Sequence, residues 1–289
     1  MDYFDESKKK ASVLVEALPY VKRFRGSIFV VKYGGSFMDS PDTHVRASVA
    51  EDLVLLHFLG IKVVVVHGGG KAVSKALEKE GLRATFLNGL RITDGRAIKI
   101  VDEILNERVN QEVASFVSSH DCQVRRIPGK EVLICSKLEH EPDLGFVGEI
   151  KEVNTQIIKE ALESDEIPIL SSTASDESGQ CFNVNADIAA AEVAMSLNAR
   201  RLVYLSDVPG LLKDPDNPAS LLSSLPIDQV DGLKQENIIS KGMLPKVNSA
   251  VSALKSGVNR VHFIDGRLPH SILLEIFTDQ GVGTEIVCS

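Results

Sequence analysis

Aromatic residues are scarce in this chain of 289 residues. Tryptophan is absent, and the aromatic residues together make up 5% of the sequence. Surfaces that stack nucleic-acid bases or sugar rings depend on flat aromatic side chains. The composition therefore argues weakly against base or carbohydrate stacking as the basis of the function.

Clustered positive charge is also missing. The formal net charge is −8, and the one dense basic run is Lys8–Lys10. A protein that neutralises a phosphate backbone needs a basic face. We therefore expect no nucleic-acid partner.

Cysteine is rare, and its spacing carries no metal or disulfide motif. The four cysteines are Cys122, Cys135, Cys181 and Cys288. They include no C-x-x-C pair, and no histidine stands at zinc-finger spacing from them. This pattern is typical of buried or incidental thiols in a reducing compartment.

Long hydrophobic runs are absent as well. No apolar segment approaches the ~20 residues of a membrane-spanning helix. The charged N-terminus, with Asp2, Asp5 and Glu6, lacks the apolar core of a signal peptide. We therefore expect a cytoplasmic protein without a membrane partner.

Short β-rich segments alternate with helical segments along most of the chain. Strands are predicted over 27–33, 62–67, 167–171, 201–206 and 260–265 and at the closing GTEIVC, and helices over 43–59, 71–81, 95–117, 186–197, 242–257 and 269–277. This alternation favours a mostly parallel sheet covered by helices on both faces. The expected fold is therefore α/β, with an open central sheet between helices and two lobes around a cleft.

Three segments depart from the alternation. Between 123 and 153, QVRRI, EVLIC and FVGEIKEV are short alternating runs that predict hairpins. The polar stretch near 172–182 predicts a loop at a lobe boundary, which divides the chain into 1–25, 26–175 and 176–289. The leading segment 7–25 predicts an amphipathic helix, kinked at Pro19, that buries its apolar stripe on its own body or on a partner subunit.

Glycine-rich turns follow three of the predicted strands. They are Gly34–Gly35 after FVVKY, Gly68–Gly70 after VVVVH, and Gly210 after YLSDVP. Ligands of open parallel sheets bind beyond the carboxyl ends of the strands. Glycines there let backbone N–H groups approach phosphate oxygens, and helix N-termini add partial positive charge. One such turn is usually only a turn, but three favour a phosphate site.

The common phosphate-binding signatures are absent. No G-x-x-x-x-G-K-[ST] motif occurs, and Val73 occupies the last position of a G-x-G-x-x-G match. The sequence therefore predicts neither a P-loop protein nor a simple dinucleotide-binding protein.

Three charged residues are candidates for phosphoryl transfer. Lys32 ends the first strand, Lys246 lies near the start of a helix, and Asp187 opens a helix in NVNAD. Phosphoryl transfer depends on cations placed where negative charge builds up. Two lysines held apart by one aspartate would meet that need. The alternatives are solvated lysines and an aspartate that only caps its helix.

The acceptor is expected to be a carboxylate. Arg91, in NGLRITDG, has a guanidinium group that can donate hydrogen bonds to both oxygens of a carboxylate, although it could instead pair with Asp94. No convincing general base is present, since His67 is better explained as a packing residue. A γ-carboxylate has a pKa of ~4.3 and needs no base at neutral pH, whereas an alcohol usually does.

Together these segments resemble the amino acid kinase superfamily and, within it, the acetylglutamate kinase branch. The resemblance runs from about residue 11 to 288. It is carried by VVKYGGSFM, VVVVHGGGK, FLNGLRITD, DLGFVGEIKEVN, FNVNADIAAAEVA, LVYLSDVPGLL, KGMLPKVNSA and GVNRVHFIDGRLPHSILLEIFTDQGVGT. It implies ATP as phosphoryl donor, Mg²⁺ held mainly by the ATP phosphates, and N-acetyl-L-glutamate as acceptor.

The resemblance also implies a role for each candidate residue. Lys32 and Lys246 would stabilise the transferring phosphoryl group, and Asp187 would orient both. The other implied sites are backbone donors at Gly35, Gly68 and Gly69, a substrate α-carboxylate site at Arg91 and Asn183, and a nucleotide border at Ser206, Asp207 and Gly210. Residues 26–175 would bind acetylglutamate and form a dimer, and residues 176–289 would bind ATP.

Arginine-inhibited members of this branch carry an extra N-terminal helix that interlaces dimers into a hexamer. The resemblance therefore implies a homo-oligomer, either a dimer or a hexamer built as a trimer of dimers, with L-arginine as effector. The matching effector residues are Tyr20, His262, Glu275, Gly281 and Gly283. The sequence departs from the branch at Lys71, Lys241 and Ser36–Phe37, which could alter loop mobility and substrate affinity.

Two other functions are compatible with this resemblance. One is a different carboxylate or carbamate kinase of the same fold, which the pairing of Arg91 with Asn183 disfavours. The other is a catalytically silent arginine sensor, like the kinase-like domain of some acetylglutamate synthases. Retention of both Lys32 and Lys246 argues against a sensor, which does not need them.

Overall fold

The computed structural model describes residues 3–35, 38, 43–239 and 242–288. The α-helices in these ranges are α1 Tyr3–Phe24, α2 Thr43–Phe58, α3 Gly70–Lys79, α4 Ala97–Glu103, α5 Asn110–Ser118, α6 Gln156–Glu163, α7 Ala186–Ser196, α8 Val230–Gln235, α9 Leu244–Lys255 and α10 Ser271–Ile276. The strands are β1 Ile28–Tyr33, β2 Lys62–His67, β3 Phe86–Leu87, β4 Leu90–Arg91, β5 Val124–Ile127, β6 Leu133–Lys137, β7 Gly148–Val153, β8 Ile167–Ser171, β9 Thr173–Ser175, β10 Cys181–Asn183, β11 Arg201–Ser206, β12 Ser224–Pro226, β13 Arg260–Asp265 and β14 Thr284–Val287.

An eight-stranded sheet forms the centre of the molecule, in the order β12-β14-β13-β11-β1-β2-β8-β5. The six strands from β13 to β5 run parallel, whereas β14 pairs antiparallel with β13 and parallel with β12. The central strands are continuous apolar runs, as expected where helices cover both faces of a sheet. This architecture confirms the predicted α/β fold with a mostly parallel central sheet.

The two faces of the sheet carry separate hydrophobic cores. Alternate residues of β1 divide between them, because Val30 belongs to the core beneath α7 and α9, whereas Phe29 and Val31 belong to the core beneath α2 and α5. Alternation places neighbouring side chains of a strand on opposite faces. The carboxyl ends of the central strands are thereby held rigidly at one edge.

The prediction of hairpins across 123–153 is wrong for its first segment. Strand β5 joins the edge of the central sheet, parallel to β8. The other two segments form an antiparallel pair, β6 with β7. A four-residue run looks the same in a hairpin and at a sheet edge, so its partner depends on tertiary packing.

The polar stretch near 172–182 is not a simple loop. Strands β9 and β10 pair antiparallel within it and join β6 and β7 in a second sheet of order β10-β9-β6-β7. Asp176 closes the turn, because its Oδ1 accepts hydrogen bonds from the backbone N–H groups of Ser178 and Gln180. Polar turn residues dominate the composition here and mask the two short strands.

The helical stripe predicted over 95–117 contains a π-helical segment at Ile104–Val109, between α4 and α5. The guanidinium of Arg126 donates to the carbonyl oxygens of Asn106 at 2.9 Å and Glu107 at 3.3 Å. A π-turn displaces carbonyls from the regular helical pattern, and such turns are frequent at functional sites.

Helix α1 runs through Pro19 to Phe24. Phe24 is buried and packs edge-on against Phe29, while Tyr20 lies edge-on to Phe277. Leu14, Val15 and Leu18 are exposed. The C-terminal end of the helix is therefore anchored on the body of the chain, and part of its apolar surface faces solvent. None of the helices in the described ranges is both long and apolar enough to span a membrane.

Candidate active site

A cavity of about 410 Å³ opens at the carboxyl ends of β1 and β2. Its walls come from the glycine turns, from α3, from the π-helical segment and from the start of α7. Among the candidate residues, the cavity is lined by Lys32, Gly35, Gly68, Gly69, Arg91, Asn183, Asp187 and Asp207. Most of the expected catalytic and substrate-binding residues thus meet in one place.

One carboxylate joins the two lysines. Lys32 Nζ lies 2.9 Å from Asp187 Oδ1, and Lys246 Nζ lies 2.6 Å from Asp187 Oδ2. The side chains of Lys32 and Asp187 are almost fully buried, and that of Lys246 is about one-fifth exposed. Two ammonium groups are therefore separated by a single acid. Lys32 and Asp187 line the cavity, whereas Lys246 is not among the described residues that line it.

Asp187 is free for this role because another residue caps its helix. Asn185 is the N-cap of α7, and its Oδ1 accepts hydrogen bonds from the backbone N–H groups of Asp187 and Ile188. Burial by itself raises the pKa of Asp187, but the attraction of Lys32 and Lys246 outweighs it and lowers the pKa overall. Asp187 is therefore an ionised bridge rather than a helix cap.

Arg91 is buried beside the cavity. Its Nη2 donates to the carbonyl oxygen of Gly70 at 2.7 Å and to Ser74 Oγ at 2.9 Å, and its guanidinium lies 4.6 Å from the ring centroid of Phe86. Burial lowers the pKa of Arg91. Asp94 instead accepts hydrogen bonds from backbone N–H groups of the following turn. Within the described residues, Arg91 Nη1 is buried without a hydrogen-bond partner, which leaves a donor for an incoming anion.

Two glycines at the cavity lie close to neighbouring side chains. A Cβ on Gly34 would lie 2.5 Å from Lys32 Nζ, and a Cβ on Gly69 would lie 2.6 Å from a methyl group of Leu105. Gly34 thus leaves room for Lys32 to fold back over the turn, a contact that the sequence prediction missed. The signal was present in the Gly34–Gly35 pair, but its reason is visible only in three dimensions.

Two further cavity residues were also missed. Arg46 on α2 pairs with Glu112 on α5, with Nη1 2.6 Å from Oε1, and lies over the ring of Phe116. Both charged residues sit in helices, where nothing in the sequence distinguishes them from surface residues.

Asn183 and the residues expected to border the nucleotide differ in whether they line the cavity. Asn183 Nδ2 donates to Thr93 Oγ1 at 3.3 Å and lines the cavity. Asp207 also lines the cavity, whereas Ser206 is buried with its Oγ bonded to Val208 O at 3.3 Å. A Cβ on Gly210 would lie 2.5 Å from Thr284 Oγ1, so this glycine packs against β14. Ser206 and Gly210 are not among the described residues that line the cavity.

The departures from the family pattern are only partly visible. Lys71 is exposed at the start of α3 and lines the cavity. Lys241 and Ser36–Phe37 lie outside the described residues.

A second cavity, of about 660 Å³, lies between the end of α1 and the last strand. It brings together all five residues expected to form an effector site, namely Tyr20, His262, Glu275, Gly281 and Gly283. Tyr20 Oη donates to Asp279 Oδ1, which ties α1 to the segment that follows α10.

Glu275 is the centre of this second cavity. Its Oε1 lies 2.7 Å from His262 Nδ1, and its Oε2 accepts hydrogen bonds from the N–H groups of Val282 at 2.8 Å and Gly283 at 2.9 Å. Burial raises the pKa of Glu275, but these hydrogen bonds and His262 outweigh burial and lower the pKa overall. A buried, ionised carboxylate therefore faces the cavity.

The fold and the cavity together define a class of enzyme. The family model described as the amino acid kinase family matches residues 27–265. The chain is therefore a kinase of this family.

Similarity to curated proteins narrows the class. The chain is 42% identical over 280 residues to the acetylglutamate kinase of Clostridioides difficile (strain 630), covering 96% of this chain and 97% of that protein. It is also 42% identical over 283 residues to the acetylglutamate kinase of Syntrophomonas wolfei subsp. wolfei, at 96% and 97% coverage. The chain belongs to the amino acid kinase family and, within it, to the acetylglutamate kinases.

Solved structures agree with this fold. N-acetylglutamate synthase from Neisseria gonorrhoeae, complexed with coenzyme A and N-acetyl-glutamate, superposes with a TM-score of 0.85 at 26% identity. The match covers 96% of this chain but 63% of that chain. Giardia carbamate kinase, at 13% identity and a TM-score of 0.67, shares the fold, covering 92% of this chain and 99% of that chain.

Proposed function

We propose that this enzyme transfers the γ-phosphoryl group of ATP to the γ-carboxylate of N-acetyl-L-glutamate, an early step of arginine biosynthesis. The observation that carries the proposal is the Lys32–Asp187–Lys246 bridge, two of whose members line a cavity. The same cavity is lined by Arg91, whose Nη1 has no hydrogen-bond partner among the described residues. The near full-length similarity to acetylglutamate kinases supports the choice of acceptor.

The reaction follows from the charges at the bridge. An oxygen of the substrate γ-carboxylate attacks the γ-phosphorus of ATP, a new P–O bond forms, and the bond from the γ-phosphorus to the bridging oxygen breaks to release ADP. Lys32 and Lys246 stabilise the charge on the transferring group and the leaving oxygen. No proton has to be removed, because the carboxylate is already ionised at neutral pH. The product is an acyl phosphate.

Orientation of the acceptor falls to the opposite part of the cavity. Arg91 Nη1 and Asn183 Nδ2 offer donors to the substrate α-carboxylate. The guanidinium group of Arg91 contacts Gly70, Ser74 and Phe86, so its orientation is already fixed in the absence of substrate. Pre-organisation of this kind reduces the entropic cost of binding.

Mg²⁺ is expected to bind through the ATP phosphates. Across the part of the chain that the structure describes, no three His, Cys, Asp or Glu side chains cluster in a way that could hold a metal ion. Both oxygens of Asp187 are engaged by lysines. Mg²⁺ readily keeps several water ligands and binds through substrate phosphates, where it would neutralise part of the phosphate charge.

The two lobes would divide this work. Residues 26–175 supply Lys32, the two glycine turns and Arg91, and we assign acetylglutamate binding and dimerisation to them. Residues 176–289 supply Asp187 and Lys246, and we assign ATP to them, with the segment containing Ser206, Asp207 and Gly210 bordering the nucleotide. Residues of both ranges line the described cavity, as expected for a site between two lobes.

We further propose that L-arginine binds the second cavity and inhibits the enzyme. A guanidinium has only hydrogen-bond donors, and the ionised Glu275 with Asp279 and Glu285 presents acceptors. The N-acetylglutamate synthase of Neisseria gonorrhoeae has also been solved with coenzyme A and L-arginine, at a TM-score of 0.81 to this chain over 65% of that chain.

The same cavity includes the end of α1, and this suggests a link to assembly. The exposed apolar residues of α1, Leu14, Val15 and Leu18, would be covered if helices of neighbouring dimers interlace in a hexamer. A dimer without this interlacing is the alternative, and sedimentation would separate the two. A cytoplasmic location likewise stays a prediction.

An ATP-consumption assay tests the activity. N-acetylglutamate, glutamate, aspartate and carbamate are offered separately, each with and without arginine. We expect turnover with N-acetylglutamate and a loss of that turnover at high arginine. Turnover with carbamate or aspartate in its place would overturn the substrate assignment, and a rate unaffected by saturating arginine would remove the inhibition.

A further inference from the structure

A polar chain of two buried residues and one exposed arginine lies behind the second glycine turn, on the side away from the phosphoryl-transfer lysines. It consists of His67 at the end of β2, Asn110 at the start of α5, and Arg126 on β5. His67 and Asn110 are buried, with exposed fractions of 0% and 1%. None of the three residues has a role in the phosphoryl transfer described above.

The orientation of the Asn110 amide is fixed by its partners. Arg126 Nε, which can only donate, lies 2.9 Å from Asn110 Oδ1. The carbonyl oxygen of Ile169, which can only accept, lies 2.9 Å from Asn110 Nδ2. The second hydrogen of Nδ2 therefore points to His67 Nε2, 3.1 Å away.

This arrangement also fixes the state of His67. Because Nε2 accepts a hydrogen bond, the ring is neutral and its proton resides on Nδ1. That proton is donated to the carbonyl oxygen of Gly68, 2.8 Å from Nδ1. Burial, with a smaller contribution from the charge of Arg126, lowers the pKa of His67 to about 4, which agrees with a neutral ring at pH 7.

The carbonyl held by His67 belongs to the peptide that joins Gly68 to Gly69. In a trans peptide the C=O and N–H bonds point in opposite directions. A carbonyl drawn back toward the buried imidazole therefore turns the Gly69 N–H away from the interior. Gly68, Gly69 and the start of α3 line the active-site cavity, which places this N–H at the cavity wall.

The glycine turn is held from two further directions. Gly68 N–H donates to Tyr33 O at 3.0 Å, and Gly69 packs so closely on the π-helical segment that a Cβ would lie 2.6 Å from a methyl group of Leu105. These contacts fix the position of the turn, but they do not select which way the Gly68–Gly69 peptide faces. Only the hydrogen bond from His67 acts on that carbonyl among the contacts that the described residues make with the turn.

We propose that His67, locked in its Nδ1–H form by Asn110 and Arg126, is a positioning residue that aims the Gly69 N–H at the transferring phosphoryl group or the attacking carboxylate. The proposal rests on the proposed function, since it presumes phosphoryl transfer in this cavity. A donor fixed in advance stabilises charge at the moment of reaction without reorganisation.

Two substitutions of His67 separate positioning from packing. In His67→Asn, the side-chain amide nitrogen stands at the position of Nδ1 and can still donate to Gly68 O, but it leaves Asn110 without its partner. In His67→Gln, the amide stands at the position of Nε2 and can still accept from Asn110, but it loses the donation to Gly68 O. Gln is also the closer match to His in volume.

We expect the variant with the higher kcat to be the one with the lower unfolding temperature. His67→Gln lowers kcat by about ten- to a hundredfold, with KM values changed by less than about threefold, as for loss of one aligned donor. His67→Asn keeps kcat within about threefold of the parent but unfolds at a lower temperature than His67→Gln, because a buried N–H is left unpaired. If the more stable Gln variant is also the more active, His67 only packs and the proposal is overturned.

A substitution at Asn110 provides a second route if either His67 variant fails to fold. Asn110→Asp keeps the volume and the partner of Arg126, but it places an acceptor against Nε2. At a pH high enough to keep the imidazole neutral, where kcat is measured, its proton then lies on Nε2 and the donation to Gly68 O is lost. We expect the same fall in kcat as in His67→Gln, and a folded Asn110→Asp enzyme with unchanged kcat would overturn the proposal. A parent enzyme that does not phosphorylate N-acetylglutamate would instead refute the proposed function.

Discussion

Lys246 Nζ donates a hydrogen bond to Asp187 Oδ2 at 2.6 Å, although the two residues are 59 positions apart in the chain. Lys32 meets the other oxygen of the same carboxylate from the central strand β1. The carboxylate is held on α7, and Lys246 on α9. The three groups therefore depend on the packing of two helices against one strand, so each is sensitive to substitution in a distinct way.

Removal of Lys246 should abolish catalysis with little loss of stability. Lys246→Met deletes one of two cations at the transferring group, and we expect kcat to fall by about a hundred- to a thousandfold. Lys32 still pairs with Asp187 in this variant, so the buried carboxylate keeps a cation and the thermal midpoint should change little. Lys255→Met, at an exposed position in the last turn of the same helix, should keep full turnover. Retained turnover in Lys246→Met would contradict a catalytic role for Lys246, and only a parent protein without turnover would favour the arginine-sensor alternative.

Substitution of Arg91 should affect substrate binding more than the chemical step. Arg91→Lys keeps a positive charge but loses the planar fork, so we expect the KM for N-acetylglutamate to rise about ten- to a hundredfold while kcat changes less. Steady-state kinetics with N-acetylglutamate as the varied substrate measures this. Arg83→Lys, at an exposed site before the same hairpin, serves as the matched control. Equal KM values for both variants would argue against an α-carboxylate contact at Arg91.

The second cavity can be tested at a single glycine. Gly281 has a φ of +64°, and a Cβ there would lie 2.5 Å from Glu275 Oε2. Gly281→Ala should therefore weaken arginine binding at least about tenfold, a loss of about 1.4 kcal/mol, when measured by calorimetry. Gly179→Ala has a similar φ of +83° but no atom within 4 Å of its Cβ. It should lose about 1 kcal/mol of stability from backbone strain and still bind arginine normally.

Asp52 should give the protein a distinctive pH dependence. Its carboxylate is fully buried and accepts hydrogen bonds from His270 Nδ1 at 2.7 Å and from Ile272 N–H at 3.2 Å. Burial raises the pKa of Asp52 to about 6, although the bonds from His270 and Ile272 oppose the rise. The folded state therefore binds more protons than the unfolded state between pH ~4 and pH ~6, and the free energy of unfolding falls as pH rises through that window.

Asp52→Asn removes this titration. The free energy of unfolding of the variant minus that of the parent should therefore rise by about 3 kcal/mol as the pH is raised from 4 to 7. The depressed pKa of His67, about 4, acts with the opposite sign, because the unfolded state then binds more protons up to pH ~6.5. His67 is present in both proteins, so its contribution cancels in the difference. Denaturant titrations at several pH values measure the two curves, and parallel curves would contradict an elevated pKa at Asp52.

Much of the fold could be predicted from hydrophobic periodicity. The apolar runs of β1, β2 and β11 and the helices between them carry a strong local signal, because strands buried on both faces can hardly contain polar residues. The short strands β9 and β10 were missed, and β5 was assigned to a hairpin. In these segments local preference is weak and the partner strand decides the structure.

Part of the candidate site could likewise be predicted from the sequence, and part could not. Lys32, Asp187, Arg91 and the glycine turns were identified because their residue types suit phosphate and carboxylate chemistry at strand ends and helix starts. The close contact of Gly34 with Lys32 and the hydrogen bonds that join Arg126 and Asn110 to His67 were not predicted, since an asparagine in a helix and an arginine in a short strand resemble surface residues in the sequence.

The sequence by itself determined the α/β class, the family, and the chemical types gathered for phosphoryl transfer, since these follow from local periodicity and from motifs a few residues long. The tertiary structure decided which groups meet. It left Asp187 to bridge two lysines by giving the helix cap to Asn185, and it gave His67 a fixed tautomer through Asn110. Such choices depend on distances between elements far apart in the chain, which no local pattern records.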